Sequence, residues 1–177
     1  MCVQEILNSM LKVSLLQIST EDQLTKIVNL IMSTPWISPL AQVRIYLYDK
    51  RTKMLQIRAH YNYTRTQLDA CPPISPVECP CGRPESTTDM VFIPTINIES
   101  KQSGHYCVPI KSNNRLLGLI GVYEWGKASS GDGPNIHFRA ATCNKEMFLK
   151  IAANTIAGIA LRKEANENLT HNYLIQS

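Results

Sequence analysis

The stretch AQVRIYLYDKRTKMLQIRAH, residues 41–60, decides the architecture. Ala41, Val43, Ile45 and Leu47 alternate with Gln42, Arg44, Tyr46 and Tyr48, the period of two that marks a half-buried strand. Asp49 to Lys53 is a polar turn. Met54 to His60 reads as a second strand, so the stretch predicts an antiparallel hairpin.

On the C-terminal side the alternation stops. Residues 61–89 show no clear period and hold Pro72, Pro73, Pro76, Pro80 and Pro84 together with Cys71, Cys79, Cys81 and Gly82. So long an irregular insert within a small domain is functional or disordered, and its proline content predicts a mobile cap. Met90 to Ile93 is a short apolar strand. Tyr106 to Ile110 and Leu116 to Tyr123 are two strong strands joined by Lys111 to Arg115, a second hairpin. Gly118 and Gly121 lie inside the latter strand and mark a bulge or the close approach of another backbone.

On the N-terminal side the period changes. Ile6, Met10, Val13 and Leu16 recur at helical steps. Ser19 or Thr20 then caps a second helix, with Glu21 and Asp22 in its positive first turn and Leu24, Ile27, Val28, Ile31 and Met32 as its apolar stripe. Pro35 and Pro39 end it. At the far end Phe148, Ile151, Ala152, Thr155, Ile156, Ile159 and Ala160 line one face of a long helix that turns polar beyond Leu161. The order is helix, helix, hairpin, irregular insert, strand, hairpin, helix. It predicts an α+β fold: a central antiparallel sheet, terminal helices on one face, and the insert on the other.

Composition narrows the functional classes. The chain has 177 residues, the length of one domain, and its hydrophobic share of 44% allows a sizeable core. Its net charge is only +4, with Lys and Arg scattered rather than in runs, which argues against nucleic-acid binding. No stretch approaches the roughly 18 apolar residues of a membrane span, and Met1 to Met10 lacks the basic start of a signal peptide. The expected location is the cytoplasm. There the six cysteines, Cys2, Cys71, Cys79, Cys81, Cys107 and Cys143, are buried, reactive or metal-bound rather than disulfide-linked.

The order and the motifs together resemble the GAF domain family. Ile6 to Met32 looks like the paired opening helices of such domains in sensor kinases and cyclic-di-GMP enzymes. VRIYLYDKRTKMLQIRAHYN resembles the family's first hairpin, CPCGRP the run from loop into the cap over its pocket, GHYCVPIKSNNRLLGLIGVYEW its second hairpin, and FLKIAANTIAGIALRKEANENL its exit helix. The resemblance implies one domain over 1–177: N-terminal helices over 1–33, sheet and cap over 40–124, and a C-terminal signalling helix over 145–175. It implies a ligand pocket beneath the cap, and one fold hosts many ligands.

Two cysteine segments could carry chemistry there. Cys79 and Cys81 are two apart, as are His105 and Cys107, and residues i and i+2 of a strand share a face. Thiolates and imidazole suit tetrahedral zinc or iron, so Cys79, Cys81, His105 and Cys107 are candidate ligands for a zinc or iron centre. The alternative is that they are buried structural cysteines with a strand-end histidine. Arg83, Tyr106 and Cys107 are the candidate ligand-binding residues; Arg83 could pair a ligand phosphate bidentately, or be a solvated turn arginine. A redox enzyme of the same fold, free methionine-(R)-sulfoxide reductase, offers a further comparison. The spacing of Cys71 and Cys81 resembles two of its cysteines, but its further catalytic cysteine would fall near Ile98.

The expected function is therefore a cytoplasmic sensory or regulatory module. It binds a small ligand or metal centre, pairs with a second copy through its terminal helices, and signals to an output domain such as a histidine kinase or diguanylate cyclase. It is expected not to be an enzyme, to contact no membrane and to bind no nucleic acid. The alternatives are a thiol-based reductase and a ligand-free dimerisation module.

Overall fold

The structure is a computed structural model that describes residues 2–78, 90–95, 103–124 and 136–176, with side chains described for most of these. Two helices open the chain, α1 (Val3–Ser14) and α2 (Thr20–Met32). The Ser19 hydroxyl caps α2 by accepting from the Asp22 amide at 3.0 Å. The carbonyls at the end of α1 would be orphaned, but the buried Gln23 amide donates to those of Val13, Ser14 and Leu16 at 3.0–3.1 Å. Arg162 adds a donor to Ser14 from the last helix.

Next come β1 (Gln42–Asp49), β2 (Met54–Tyr61), a short helix α3 (Arg65–Asp69), β3 (Val91–Thr95), β4 (Ser103–Ser112), β5 (Arg115–Glu124) and the long α4 (Ile136–Gln176). Among the described residues the strands form one antiparallel sheet in the order β2-β1-β5-β4-β3. This is the α+β arrangement expected from the sequence. α4 starts nine residues earlier than the expected 145. The insert after β2 is more regular than expected. Thr64 and Gln67 form a reciprocal capping box that starts α3, and Ile74 pairs with Leu55 through hydrogen bonds in both directions.

Strand alternation sorts the side chains into two clusters. Val43, Ile45, Leu47, Val108, Ile110, Ile120 and Val122 meet the stripes of α1, α2 and α4, including Ile6, Met10, Leu24, Ile27, Phe148, Leu149 and Ile156. Trp36 closes this core edge-on against Phe148 at 5.7 Å between ring centres. On the other face Tyr46, Leu55, Cys107 and Leu119 form a smaller cluster, with Ile57, Ile74 and Val91 packed beside it.

One irregularity lets β2 serve both clusters. Ile45 pairs with Ala59 but Tyr46 pairs with Ile57, so Arg58 is an extra residue, a β-bulge. Leu55 and Ile57 therefore face one side, and Ala59 and Tyr61 the other. The displaced Arg58 bonds Asp49 at 3.1 Å and lies 4.0 Å from Glu21 of α2. α4 is tied to the sheet by charge as well. Glu164 meets Arg115 of β5 at 2.6 Å and Lys50 of the first hairpin turn at 3.7 Å.

Candidate functional site

The face away from the long helices carries the unusual chemistry. Four neighbouring strands place His60, Arg44, Gly121 and Cys107 in one cross-strand row, in that order. Tyr123 and His105 are paired one row along, with rings stacked at 4.4 Å. Tyr46 and Leu119 make the row on the other side. Gly121 leaves the middle of the central row without a side chain. A Cβ there would meet only the edge of Tyr123, at an ordinary 3.5 Å.

Arg44 is the centre of this arrangement. It is 8% exposed. Its guanidinium carbon lies 4.6 Å from the ring centre of Tyr123, 4.8 Å from Tyr63 and 5.5 Å from Tyr46. Nη1 donates to the Cys71 sulfur at 2.7 Å. Nε is buried and has no hydrogen-bond acceptor among the described residues. Nor does Arg44 form an ion pair with any carboxylate among them, although Arg58, Arg65 and Arg115 all do.

The electrostatics follow from that enclosure. Burial works against the charge of Arg44, but Tyr46, Tyr123, Tyr63 and Cys71 around it outweigh that and raise its pKa above the ordinary guanidinium value. Burial also pushes the phenols of Tyr46, Tyr63 and Tyr123 up, with the Arg44 charge pulling each back. At neutral pH the site is therefore a fixed cation ringed by neutral phenols. Each aromatic face offsets about 0.5–2 kcal/mol of the burial of a cation. An unsatisfied buried donor costs roughly 1–3 kcal/mol, and Nε retains that cost.

The residues singled out in the sequence fall differently. His105 and Cys107 stand on this face, His105 against Tyr123 and Cys107 in the Tyr46 cluster at 4% exposure. Tyr106, between them on the strand, packs instead against the helix-side core beneath Lys145, 5.1 Å from its ring centre. The period of two puts it on the opposite side of the sheet from Cys107. Cys79, Cys81 and Arg83 lie outside the described residues. Among the described residues no group of three or more His, Cys, Asp or Glu could hold a metal ion, and no helix is long and apolar enough to cross a membrane. Sequence reasoning missed Arg44, Tyr46, Tyr63 and Tyr123. The available signal was an arginine at mid-strand with aromatic neighbours two and four positions away in the strand and its hairpin, a pattern that reads equally as a solvated face.

Comparison with known proteins supports the fold. No protein-family model matches the chain, and no curated protein matches it. Solved structures do. The GAF domain of an Acinetobacter phosphoenolpyruvate-protein phosphotransferase is 16% identical, with 92% of this chain and 94% of that one covered, at a TM-score of 0.65. The GAF domain of a putative sensor histidine kinase from Pseudomonas syringae is 10% identical, with 96% and 92% covered and a TM-score of 0.65. Free methionine-R-sulfoxide reductase from Neisseria meningitidis, in complex with its substrate, is 15% identical, with 92% and 91% covered and a TM-score of 0.61. The chain thus has a GAF-like fold. The reductases correct one expectation. A fold shared about equally with sensor domains and with enzymes gives no ground for the reading that the chain is not an enzyme.

Proposed function

We propose that this chain is a sensory or regulatory domain that binds a small molecule on the sheet face around Arg44 and passes its occupancy to the terminal helices. The observation that carries this reading is the two-sidedness of β1. Arg44 and Tyr46 line the candidate site, while Val43, Ile45 and Leu47 lie in the core shared with α2 and α4. A ligand that shifts β1 acts on the packing of α4 directly, because packed cores repack rather than stretch. The Glu164 clasp adds a second link from the sheet to α4.

The homodimer belongs to this proposal. Leu11, Met147, Leu161 and Leu169 are exposed on the terminal helices, and Leu15 and Leu16 in the turn after α1; a helix bundle between two copies would cover them. Light scattering at tens of micromolar tests it, and a monomer there counts against it. An output domain beyond α4 and a zinc or iron centre on Cys79, Cys81, His105 and Cys107 are further proposals; elemental analysis of anaerobically purified protein tests the latter. The main test is native mass spectrometry of protein purified without dialysis. A bound small molecule, lost from the Tyr46→Ala and Tyr123→Ala variants, is the expected result. A bare chain whose melting temperature no compound in a metabolite library shifts would overturn the reading.

One observation favours a second reading, reduction of free methionine-R-sulfoxide. Cys71 is half-buried and its sulfur accepts a hydrogen bond from the Arg44 guanidinium, and a thiol is the nucleophile that such a reduction needs. Turnover of that sulfoxide with dithiothreitol, abolished in Cys71→Ser, would establish it; no turnover by the wild type would dismiss it.

A further inference from the structure

Arg44 is a buried cation that, among the described residues, is ringed by phenols and meets no carboxylate. A charge in that position is stable only when paired or well bonded. Three aromatic rings have their centres 4.6–5.5 Å from the guanidinium carbon; Tyr123 also takes a side-chain hydrogen bond from Arg44, but an aromatic face does not accept an in-plane N–H as a carboxylate does. One donor, Nη1, is taken by Cys71, and Nε on the other edge meets no acceptor among the described residues. Guanidinium donors lie in a rigid fork that matches two oxygens on one planar group. Beside the fork lies Gly121, and beyond it Cys107, flanked by Tyr123 and by Tyr46 with Leu119.

We propose that Arg44 is the anchor for a small monocarboxylate, whose oxygens accept from the Nε edge of the guanidinium and whose apolar body lies over Gly121 toward Cys107. This rests on the reading of the sheet face as a ligand site and names the class of ligand. Charge balance selects a monocarboxylate over a phosphate. Among the described residues the groups that act most on Arg44 are Tyr46, Tyr123, Tyr63 and Cys71, and none of them is a lysine or arginine. A single guanidinium neutralises one negative charge, and a phosphate dianion would leave the other buried. Gly121 adds no side chain to its row, and the apolar and aromatic neighbours Tyr46, Tyr123 and Leu119 in the adjoining rows favour a flat or aliphatic body over a polyhydroxylated one.

The test is calorimetric titration of the full chain with benzoate, phenylacetate and isobutyrate, with benzamide as the neutral isostere of benzoate and inorganic phosphate as the alternative anion. At least one carboxylate is expected to bind saturably, benzamide and phosphate at least tenfold more weakly. Arg44→Gln is expected to weaken carboxylate binding at least tenfold, because a charge-assisted bond is worth about 1.5–3 kcal/mol and every 1.4 kcal/mol is tenfold. Arg44→Lys retains the charge and loses the fork, and is expected to fall between. Gly121→Leu keeps Arg44 and adds a side chain to that row, so it controls for misfolding of the arginine variants; it too is expected to abolish binding while the melting curve stays cooperative. Benzamide binding as tightly as benzoate, or phosphate more tightly, overturns the proposal and leaves the broader ligand-binding reading in place. Silence from all three carboxylates also overturns it. A small molecule that is not a carboxylic acid, found on the purified protein, would then show that the broader reading still holds.

Discussion

Gly118 fills a gap in the sheet that has no room for a side chain. It sits in β5 between Leu47 of β1 and Ile110 of β4. A Cβ at this position would lie 2.1 Å from the Tyr46 carbonyl oxygen, 3.0 Å from Leu47 Cδ2 and 3.2 Å from Ile110 Cδ1. Carbon and carbonyl oxygen approach comfortably at about 3.3 Å. The first contact is with backbone, which cannot swing aside, so Gly118→Ala must force β1 and β5 apart by about 1 Å. Overpacking of a tight core costs about 1–3 kcal/mol, and each ladder hydrogen bond strained in the process adds about 1 kcal/mol. A loss near 3–4 kcal/mol corresponds to a drop of roughly 6–15 °C for a domain of this size. Gly158→Ala is the matched control. A Cβ there meets nothing within 4 Å, and the exchange sits inside α4, so it should stabilise by about 0.5–1 kcal/mol through helix propensity. Thermal and urea denaturation followed by circular dichroism measure both. If Gly118→Ala melts within about 2 °C of wild type, the close approach of β1 and β5 is wrong.

Other expectations follow from single contacts. Gln23→Leu keeps the volume but strips the donors from the carbonyls of Val13, Ser14 and Leu16; a urea midpoint lower by the equivalent of about 1–3 kcal/mol is expected, and an unchanged midpoint would mean those carbonyls are bonded otherwise. Burial, opposed by Arg44, raises Tyr46, Tyr63 and Tyr123 in the folded state. Their contribution to stability is thus complete below the unfolded tyrosine pKa of about 10 and is lost as pH climbs from there toward the folded values. Tyr46→Phe combined with Tyr63→Phe should flatten that alkaline loss, as read by urea titrations from neutral to strongly basic pH, and an unaltered slope would contradict it. Glu164→Gln should cost about 0.5–1 kcal/mol at low salt and less at high salt, as expected of partly exposed ion pairs; an effect indifferent to salt would show that packing rather than charge holds that end of α4.

The elements were legible in the sequence because each carries a strong period. Leu24, Ile27, Val28 and Ile31 could only be a helix stripe, and Val43, Ile45 and Leu47 only a strand face, so sheet and terminal helices followed. The site was less legible. Arg44 belongs to the polar half of an alternating strand, and alternation does not say whether that half meets water or a second layer. What buries it is the chain returning after β2, with Tyr63 and Cys71 arriving 19 and 27 residues later. Soft ligands at two-residue spacing drew attention to Cys79, Cys81, His105 and Cys107, whereas Cys71, weighed only for its spacing to Cys81, acquires its contact with Arg44 in three dimensions. The capping box of Thr64 and Gln67 was readable but was masked by the prolines that follow it.

The extra residue in β2 has a consequence for how length changes in this hairpin would be felt. Because Arg58 switches the strand's inward side halfway along, the turn-proximal half of β2 is in phase with one layer and the distal half with the other. Deleting Arg58 would remove the bulge and make Ile57 and Ala59 consecutive, so both halves would keep their partners on β1 and their sides. Deleting Gln56 instead would close the bulge by setting Arg58 opposite Tyr46 and Ile57 opposite Leu47, which turns Ile57 to the helix side. An insertion in the turn, between Asp49 and Met54, leaves both phases intact. The hairpin should therefore accept an added residue at its tip, keep its two faces when Arg58 is removed, and lose one of them when Gln56 is removed.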